Sequence, residues 1–330
     1  MVVDTMETME NDRHDALLNK YFVNRFRKGY VTVDGVTMPV RFKELQENIL
    51  NWNVNEQDVW ICSFPKTGTT WTQEMVWMIL NDLDFEGGQV NLGARSPFLE
   101  VSALFDYRDL MRDVEGFDVP PFLNDSLKFV QNQKSPVCIK THLPFNLLPK
   151  AIQDGTKRPK IIYIARNPKD TCLSYYHHAK LLEGYTGDFE TFCRLFLANK
   201  LCFAPYWKHL LQFWNRRHED NVLFLRYEDM KKDLPSAIRA TAKFLEKDLN
   251  ENQVDILTDH LSFDSMKKNP AVNYELVTEL NKKYKLIEQE GMFMRSGSVG
   301  GYKTVMSPEL IEEFDRWIRT NTKNTDFQFY

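Results

Sequence analysis

No apolar run in this 330-residue chain reaches the roughly 20 residues needed to span a bilayer. The first nineteen residues are polar and acidic, without the basic and apolar regions of a signal peptide. Five cysteines, Cys62, Cys138, Cys172, Cys193 and Cys202, are scattered without metal-ligand spacing and read as reduced core thiols. Those absences predict a cytoplasmic protein with no membrane partner and no bound metal. A basic surplus is missing too: 42 Lys and Arg stand against 46 Asp and Glu, a net charge of -4, so no nucleic-acid partner is expected. Any anionic ligand must then be held by local charge. There is no repeat, no low-complexity tract and no Pro/Gly/Ser-rich linker, which predicts one domain over 1–330, with 1–12 disordered for want of anything to bury.

What is present is a globular composition, 43% hydrophobic and 27% charged, arranged in alternating patterns. Four short apolar runs, at 59–64, 136–142, 160–166 and 222–227, have the length and character of strands covered on both faces. Helical spacing separates them. Trp71, Met75, Met78 and Ile79 predict a helix to about Asn81, and further helices are expected over 169–182, 189–200, 204–218, 234–245 and 253–260. The alternation predicts an α/β fold, a central parallel sheet flanked by helices, with ligands beyond the carboxyl ends of the strands. Residues 21–42 read as short strands around an Asp34-Gly35 turn, and 47–52 as a helical turn. Residues 85–134 and 291–304, punctuated by glycine and proline, read as loop-rich regions over the site or as plain surface loops.

Each predicted strand ends in chemistry. The first runs into Pro65-Lys66-Thr67-Gly68-Thr69-Thr70-Trp71 and then a helix, a junction whose free amides and dipole favour an anion. Its lysine precedes its only glycine, so the triphosphate loop G-x-x-x-x-G-K-[ST] is absent and a metal-dependent kinase or ATPase is disfavoured. The second ends in Lys140-Thr141-His142, where residues two apart share a face and set a cation beside an imidazole able to take a proton. The third ends in Arg166-Asn167-Pro168, a second strand-to-helix anion site, with Ser174 two turns on. Near the C-terminus, Arg295-Ser296-Gly297-Ser298 adds a cation, hydroxyls and a flexible backbone. Taken singly, a turn, a structural histidine, a helix cap and a surface loop account for these four features. Together, without a triphosphate loop, they suggest a ligand carrying phosphates at two separated places.

The motifs 64–71, Lys140-Thr141-His142-Leu143-Pro144, Arg166-Asn167-Pro168-Lys169-Asp170 through Ser174, Arg226-Tyr227-Glu228-Asp229, Ser262-Phe263-Asp264 and Arg295-x-Gly297 resemble, in order and spacing, the cytosolic sulfotransferase family from about Tyr21 to the C-terminus. The resemblance implies the donor 3'-phosphoadenosine 5'-phosphosulfate (PAPS) and the product 3'-phosphoadenosine 5'-phosphate (PAP), with a P-loop-like phosphosulfate-binding loop. It implies that Lys66, Thr67, Gly68, Thr69 and Thr70 hold the 5'-phosphosulfate, and that Arg166, Ser174, Arg295, Ser296 and Gly297 hold the 3'-phosphate. Trp71, Phe263 and Tyr227 would frame the adenine. His142 would be general base, with Lys66 and Lys140 stabilising charge. A small apolar acceptor with a hydroxyl, or an amine, would lie against Phe98, Phe145, Tyr175 and Tyr176, each of which is also ordinary core packing. A retinol-dehydratase-like enzyme on the same fold, a nucleoside or nucleotide kinase, and an inactive nucleotide-binding scaffold are the alternatives. Two departures stand out: Arg295-Ser296-Gly297 replaces the family's Arg-Lys-Gly, and Gly300-Gly301-Tyr302-Lys303 replaces Gly-Asp-Trp-Lys. Thr304, Val305 and Glu309 retain parts of the family's homodimer motif, with a shortened spacer after Lys303.

Overall fold

The computed structural model describes residues 13–288 and 291–329, so the disorder expected of 1–12 lies outside the described residues. The Asp34-Gly35 dipeptide closes a hairpin of β1 (Tyr30–Val33) and β2 (Val36–Pro39); both turn residues have positive φ, +49° and +74°, as a two-residue hairpin turn requires. Helix α1 (Phe42–Leu50) begins five residues before the helical turn expected at 47–52.

Four strands, β3 (Val59–Ser63), β4 (Cys138–Thr141), β5 (Lys160–Ala165) and β6 (Val222–Arg226), form one parallel sheet in the order β4-β3-β5-β6. Strand β3 lies inside it, and its alternation divides the core. Trp60 and Cys62 enter one apolar cluster with Ile161 and Tyr163; Val59 and Ile61 enter another with Ile162 and Ile164. Helices cover both faces, so the strands are apolar on both sides, as their sequence required.

Among those helices are α2 (Thr69–Leu80), α3 (Pro168–His178), α4 (Phe189–Leu197), α5 (Tyr206–Trp214), α6 (Tyr227–Lys232), α7 (Leu234–Phe244) and α8 (Glu251–His260). Their starts are chemically marked: Asn167 and Asp233 accept from the backbone N–H groups of Lys169 and Ser236, each with a proline in the first turn, and Asn250 with Gln253 forms a reciprocal capping box. Helices α9 (Glu275–Lys283) and α10 (Pro308–Thr322) were not expected, although Ser307-Pro308-Glu309 is a start signal and Phe314, Trp317 and Ile318 pack inward.

The region 85–134 also differs from its loop-rich expectation. It holds helices of four to six residues, at Leu92–Arg95, Val101–Leu104, Arg108–Asp113, Pro121–Asn124 and Ser126–Gln131. Each is shorter than two full turns, too short for a 3.6-residue period to register in sequence. The segment is anchored where Leu99 N–H donates to the Lys140 carbonyl and Lys140 N–H to that of Pro97, an isolated parallel bridge at the open edge of β4.

Candidate active site

Strand β3 hands the chain to the 65–68 loop at the carboxyl edge of the sheet. Lys66 has φ +68° and Gly68 φ +114°, so the loop turns tightly enough to leave the first amides of α2 without a side-chain cap. A Cβ on Gly68 would meet Tyr227 Cδ2 at 2.8 Å and Ile164 Cδ1 at 2.9 Å. Only glycine fits there. Thr69 and Thr70 line the resulting cavity, whereas the Thr67 hydroxyl turns inward and donates to the carbonyls of Phe64 and Ile164. Thr67 therefore fixes the loop through its side chain and offers a ligand only its backbone.

Five cations line one cavity: Lys66, Lys140, Arg166, Lys231 and Arg295. The Lys66 ammonium lies 3.7 Å from the Phe293 ring centroid, and burial, then Lys140 and Arg166, push it down to about 7. Arg166 stacks on Tyr227 at 4.2 Å and donates to the carbonyls of Lys66 and Ser298; its Nε is buried and has no hydrogen-bond partner among the described residues. Ser174 faces the same cavity one helix face along α3. Asp170, from α3, accepts from the N–H groups of Gly300 (2.7 Å) and Tyr302 (3.2 Å), which ties the C-terminal loop to this wall.

Trp71, Phe263 and Tyr227 come together beside that loop. Trp71 meets Tyr227 edge-on at 5.6 Å and donates through its indole N–H to the Leu261 carbonyl. The Tyr227 hydroxyl donates to the Gly297 carbonyl at 3.0 Å, and a Cβ on Gly297 would strike Phe263 Cδ2 at 2.4 Å. These contacts form a flat slot bounded by rings and closed by a glycine. Ser296 also lines it, its hydroxyl 3.1 Å from that of Ser298.

His142 sits one residue beyond β4, with its side chain toward the cavity beside that of Lys140. Its Nδ1 lies 2.7 Å from the Ser63 carbonyl, which can only accept, so the ring proton resides on Nδ1. Burial and then Lys140 hold the imidazole well below its ordinary pKa, so it is neutral near pH 7 and Nε2 carries a free lone pair. Phe98 (4.9 Å) and Phe203 (5.5 Å) flank the ring. Behind it lies Glu100, fully buried, which accepts from His142 N–H at 2.7 Å and from the Thr141 hydroxyl at 2.9 Å. Burial raises the Glu100 carboxyl to about 7 despite those bonds. The Lys140 ammonium stands 4.2 Å over Phe98 and donates to Tyr274 at 3.1 Å.

Of the predicted acceptor residues, Phe98 and Tyr175 line the cavity. Phe145 and Tyr176 do not, and those two assignments are corrected. Phe145 packs edge-on against Phe213 beneath the Arg216 guanidinium, and Tyr176 turns to the outer face of α3 against Phe189 and Phe192. Tyr175 lies on the side of α3 that meets the cavity, whereas the Tyr176 ring is taken up by Phe189 and Phe192. Residues not foreseen include Glu100, Phe105, His178, Glu183, Phe203, Tyr274 and Phe293. None carries a local motif, and they reach the site from several separate segments of the fold.

The arrangement fits an anionic nucleotide bound at two separated phosphate positions: a glycine-tight cradle with uncapped amides, an unpartnered buried guanidine nitrogen, and an aromatic slot between them. Among the described residues no group of three or more His, Cys, Asp or Glu is placed to hold a metal ion, and no helix is long and apolar enough to cross a membrane. Fold and site together place the protein in the class of α/β group-transfer enzymes. A sulfotransferase-domain family model matches residues 56–326. The chain is 41% identical over 325 residues to a luciferin sulfotransferase of Photinus pyralis, covering 98% of this chain and 88% of that one. It is 32% identical over 311 residues to sulfotransferase 1A1 of Mus musculus, covering 92% and 97%. A retinol dehydratase crystallised with retinol and PAP superposes with a TM-score of 0.86 at 30% identity, covering 96% of each chain. The chain belongs to the sulfotransferase family, whose members transfer a sulfuryl group from PAPS to small-molecule acceptors.

Proposed function

We propose that this sulfotransferase sulfates a hydroxyl of a small, largely apolar molecule, with His142 as general base. The observation that carries this reading is the His142 ring: proton fixed on Nδ1 by Ser63, Nε2 bare, and an aromatic wall of Phe98 and Phe203 on either side. PAPS, when bound, supplies the activated sulfuryl group. Lys66, Thr69, Thr70 and the amides at the start of α2 hold its 5' end, and Arg166, Ser174, Arg295 and the Gly297 loop hold its 3'-phosphate. Trp71, Phe263 and Tyr227 bound the adenine. His142 Nε2 takes the proton of the acceptor hydroxyl as that oxygen becomes a sulfate ester. Burial, and then Lys140, keep the imidazole neutral, and Lys140 adds positive charge beside the reacting group. Phe98 and Phe203 exclude water from the base.

His142→Gln tests this directly: turnover should fall by about 10²–10⁴, the usual contribution of a positioned base, while PAP still raises the melting temperature. Unchanged turnover overturns the assignment. The superposition on retinol dehydratase supports a second reading, in which the sulfate ester is expelled as a dehydrated product. Product mass separates the two. Val305 is exposed beside Thr304, in the altered form of the family's homodimer motif, and a homodimer with an altered contact and a cytoplasmic location complete the proposal.

A further inference from the structure

Behind the wall that carries His142 lies a second imidazole, His209, which does not line the cavity. His209 on α5 and Tyr163 on β5 are both buried, in an aromatic layer where Tyr163 stacks on Phe213 at 4.4 Å and His209 meets Phe64 edge-on at 5.7 Å. Within that layer three polar groups form a chain. The Tyr163 hydroxyl lies 2.9 Å from His209 Nδ1, and His209 Nε2 lies 2.9 Å from the His142 carbonyl oxygen.

A carbonyl only accepts, so His209 Nε2 carries a proton and donates it. Burial holds His209 down to about 4, so its ring is neutral and Nδ1 is an acceptor, to which the Tyr163 hydroxyl donates. Turned over, the ring would present carbon where each nitrogen stood and lose both bonds, so Tyr163 sets which atom faces His142. The consequence falls on His142. Its N–H is held by Glu100, its Nδ1–H by the Ser63 carbonyl and its carbonyl by His209. These anchors come from the 85–134 region, from β3 and from α5; they fix the peptide groups on either side of the Cα and the ring itself, leaving Nε2 as the residue's remaining polar atom. A reacting group has to be held within about 0.5 Å of its productive place, and a misplacement of about 1 Å costs about 100-fold in rate.

We infer that His209, oriented by Tyr163, is a positioning residue for sulfuryl transfer: its Nε2–H holds the His142 carbonyl so that His142 Nε2 meets the acceptor hydroxyl. This rests on the proposed role of His142 as general base. The two imidazoles divide the work because their ring protons sit on opposite nitrogens, Nδ1 in His142 and Nε2 in His209. A hydrogen bond that served folding alone would slow every acceptor alike. One that acts through the base matters only where a proton has to be removed.

The test uses two phenols at pH 8.5, where 4-nitrophenol is mostly ionised and needs no base, whereas 2-naphthol is mostly protonated and does. His209→Leu should lower kcat/KM about 10–100-fold for 2-naphthol and no more than about threefold for 4-nitrophenol, while PAP still raises the melting temperature. Tyr163→Phe, which releases the ring, should show a smaller loss with the same dependence on the acceptor. Equal losses for the two phenols, or no loss for 2-naphthol, in either variant overturns the inference. A measurement on the wild-type enzyme stands whether or not the variants fold: long-range proton–nitrogen NMR should show His209 protonated on Nε2 and His142 on Nδ1, and His209 protonated on Nδ1 instead overturns the inference. Failure of the wild-type enzyme to turn over either phenol overturns the acceptor reading and the inference with it, and so does unchanged 2-naphthol turnover in His142→Gln. A His142→Gln enzyme slowed on 2-naphthol, beside a His209→Leu enzyme that is not, overturns the inference alone.

Discussion

Lys66 makes the proposed cofactor site measurable without any acceptor. In the free protein, burial, Lys140 and Arg166 bring its ammonium down to about 7, so about half the molecules carry it neutral at pH 7. A doubly charged phosphate placed among these cations reverses the balance and returns Lys66 to its charged form. The sign follows from linkage: a group protonated in the complex and partly deprotonated in the free protein takes up protons on binding. Affinity is then fully present below pH 7 and lost as pH rises through it. Binding PAP should take up about 0.5 proton at pH 7 and about 0.9 at pH 8, and Kd should weaken about 16-fold between pH 7 and 8.5. The phosphate's own second ionisation, near pH 6, acts in the opposite sense, so the measurement belongs at pH 7 and above. Titration calorimetry in buffers of different ionisation enthalpy gives the proton count directly. Lys66→Arg, charged throughout, should flatten the profile, and Lys66→Met should flatten it and weaken binding. A wild-type Kd independent of pH from 7 to 8.5, with no proton uptake, refutes the argument.

Three buried imidazoles, His142, His178 and His209, are all held below their ordinary pKa chiefly by burial, the last two to about 4, whereas burial raises Glu100 to about 7. The histidines lose stability as pH falls below 6.5 and Glu100 gains it, a net excess of two protons in the unfolded chain; thermal or urea unfolding should show stability dropping by about 3 kcal/mol per pH unit near pH 5, and a flat profile contradicts this. Glu100→Gln puts an amide donor against the Thr141 hydroxyl or His142 N–H, so kcat should fall about tenfold with PAP affinity unchanged; equal loss of both would show that the residue serves folding alone. Gly68→Ala should destabilise the protein by about 1–3 kcal/mol and weaken PAP binding, since the new Cβ meets Tyr227 and Ile164 at a φ of +114°; wild-type affinity would rule out a tight cradle. Arg27→Met strands the Glu183 carboxylate in the interior and should cost about 3–5 kcal/mol in denaturant unfolding, against little change if that pair is dispensable.

Sequence by itself determined the sheet, most of the helices around it and the cofactor loops. Continuous apolar runs bounded by helical periods dictate a covered parallel sheet, and the chemistry at the ends of β3, β4 and β5 is local: lysine, glycine and two threonines within five residues, or an arginine ahead of a proline-started helix. What belongs to a strand-to-helix junction is legible because the backbone geometry and the ligand groups come from the same few residues. The wall for the acceptor is different. Glu100 reaches His142 only because residues 97–99 pair with the edge of β4, Arg27 reaches Glu183 across 156 positions, and Tyr176 turns away from the cavity while Tyr175 faces it. Tertiary packing decided those placements, since which side of a helix meets a cavity, and which distant carboxylate accepts from the His142 backbone, depend on contacts that no local period encodes. The proposed phosphate-binding half of the site was written in a few short local segments; the proposed acceptor half exists only once the chain has folded.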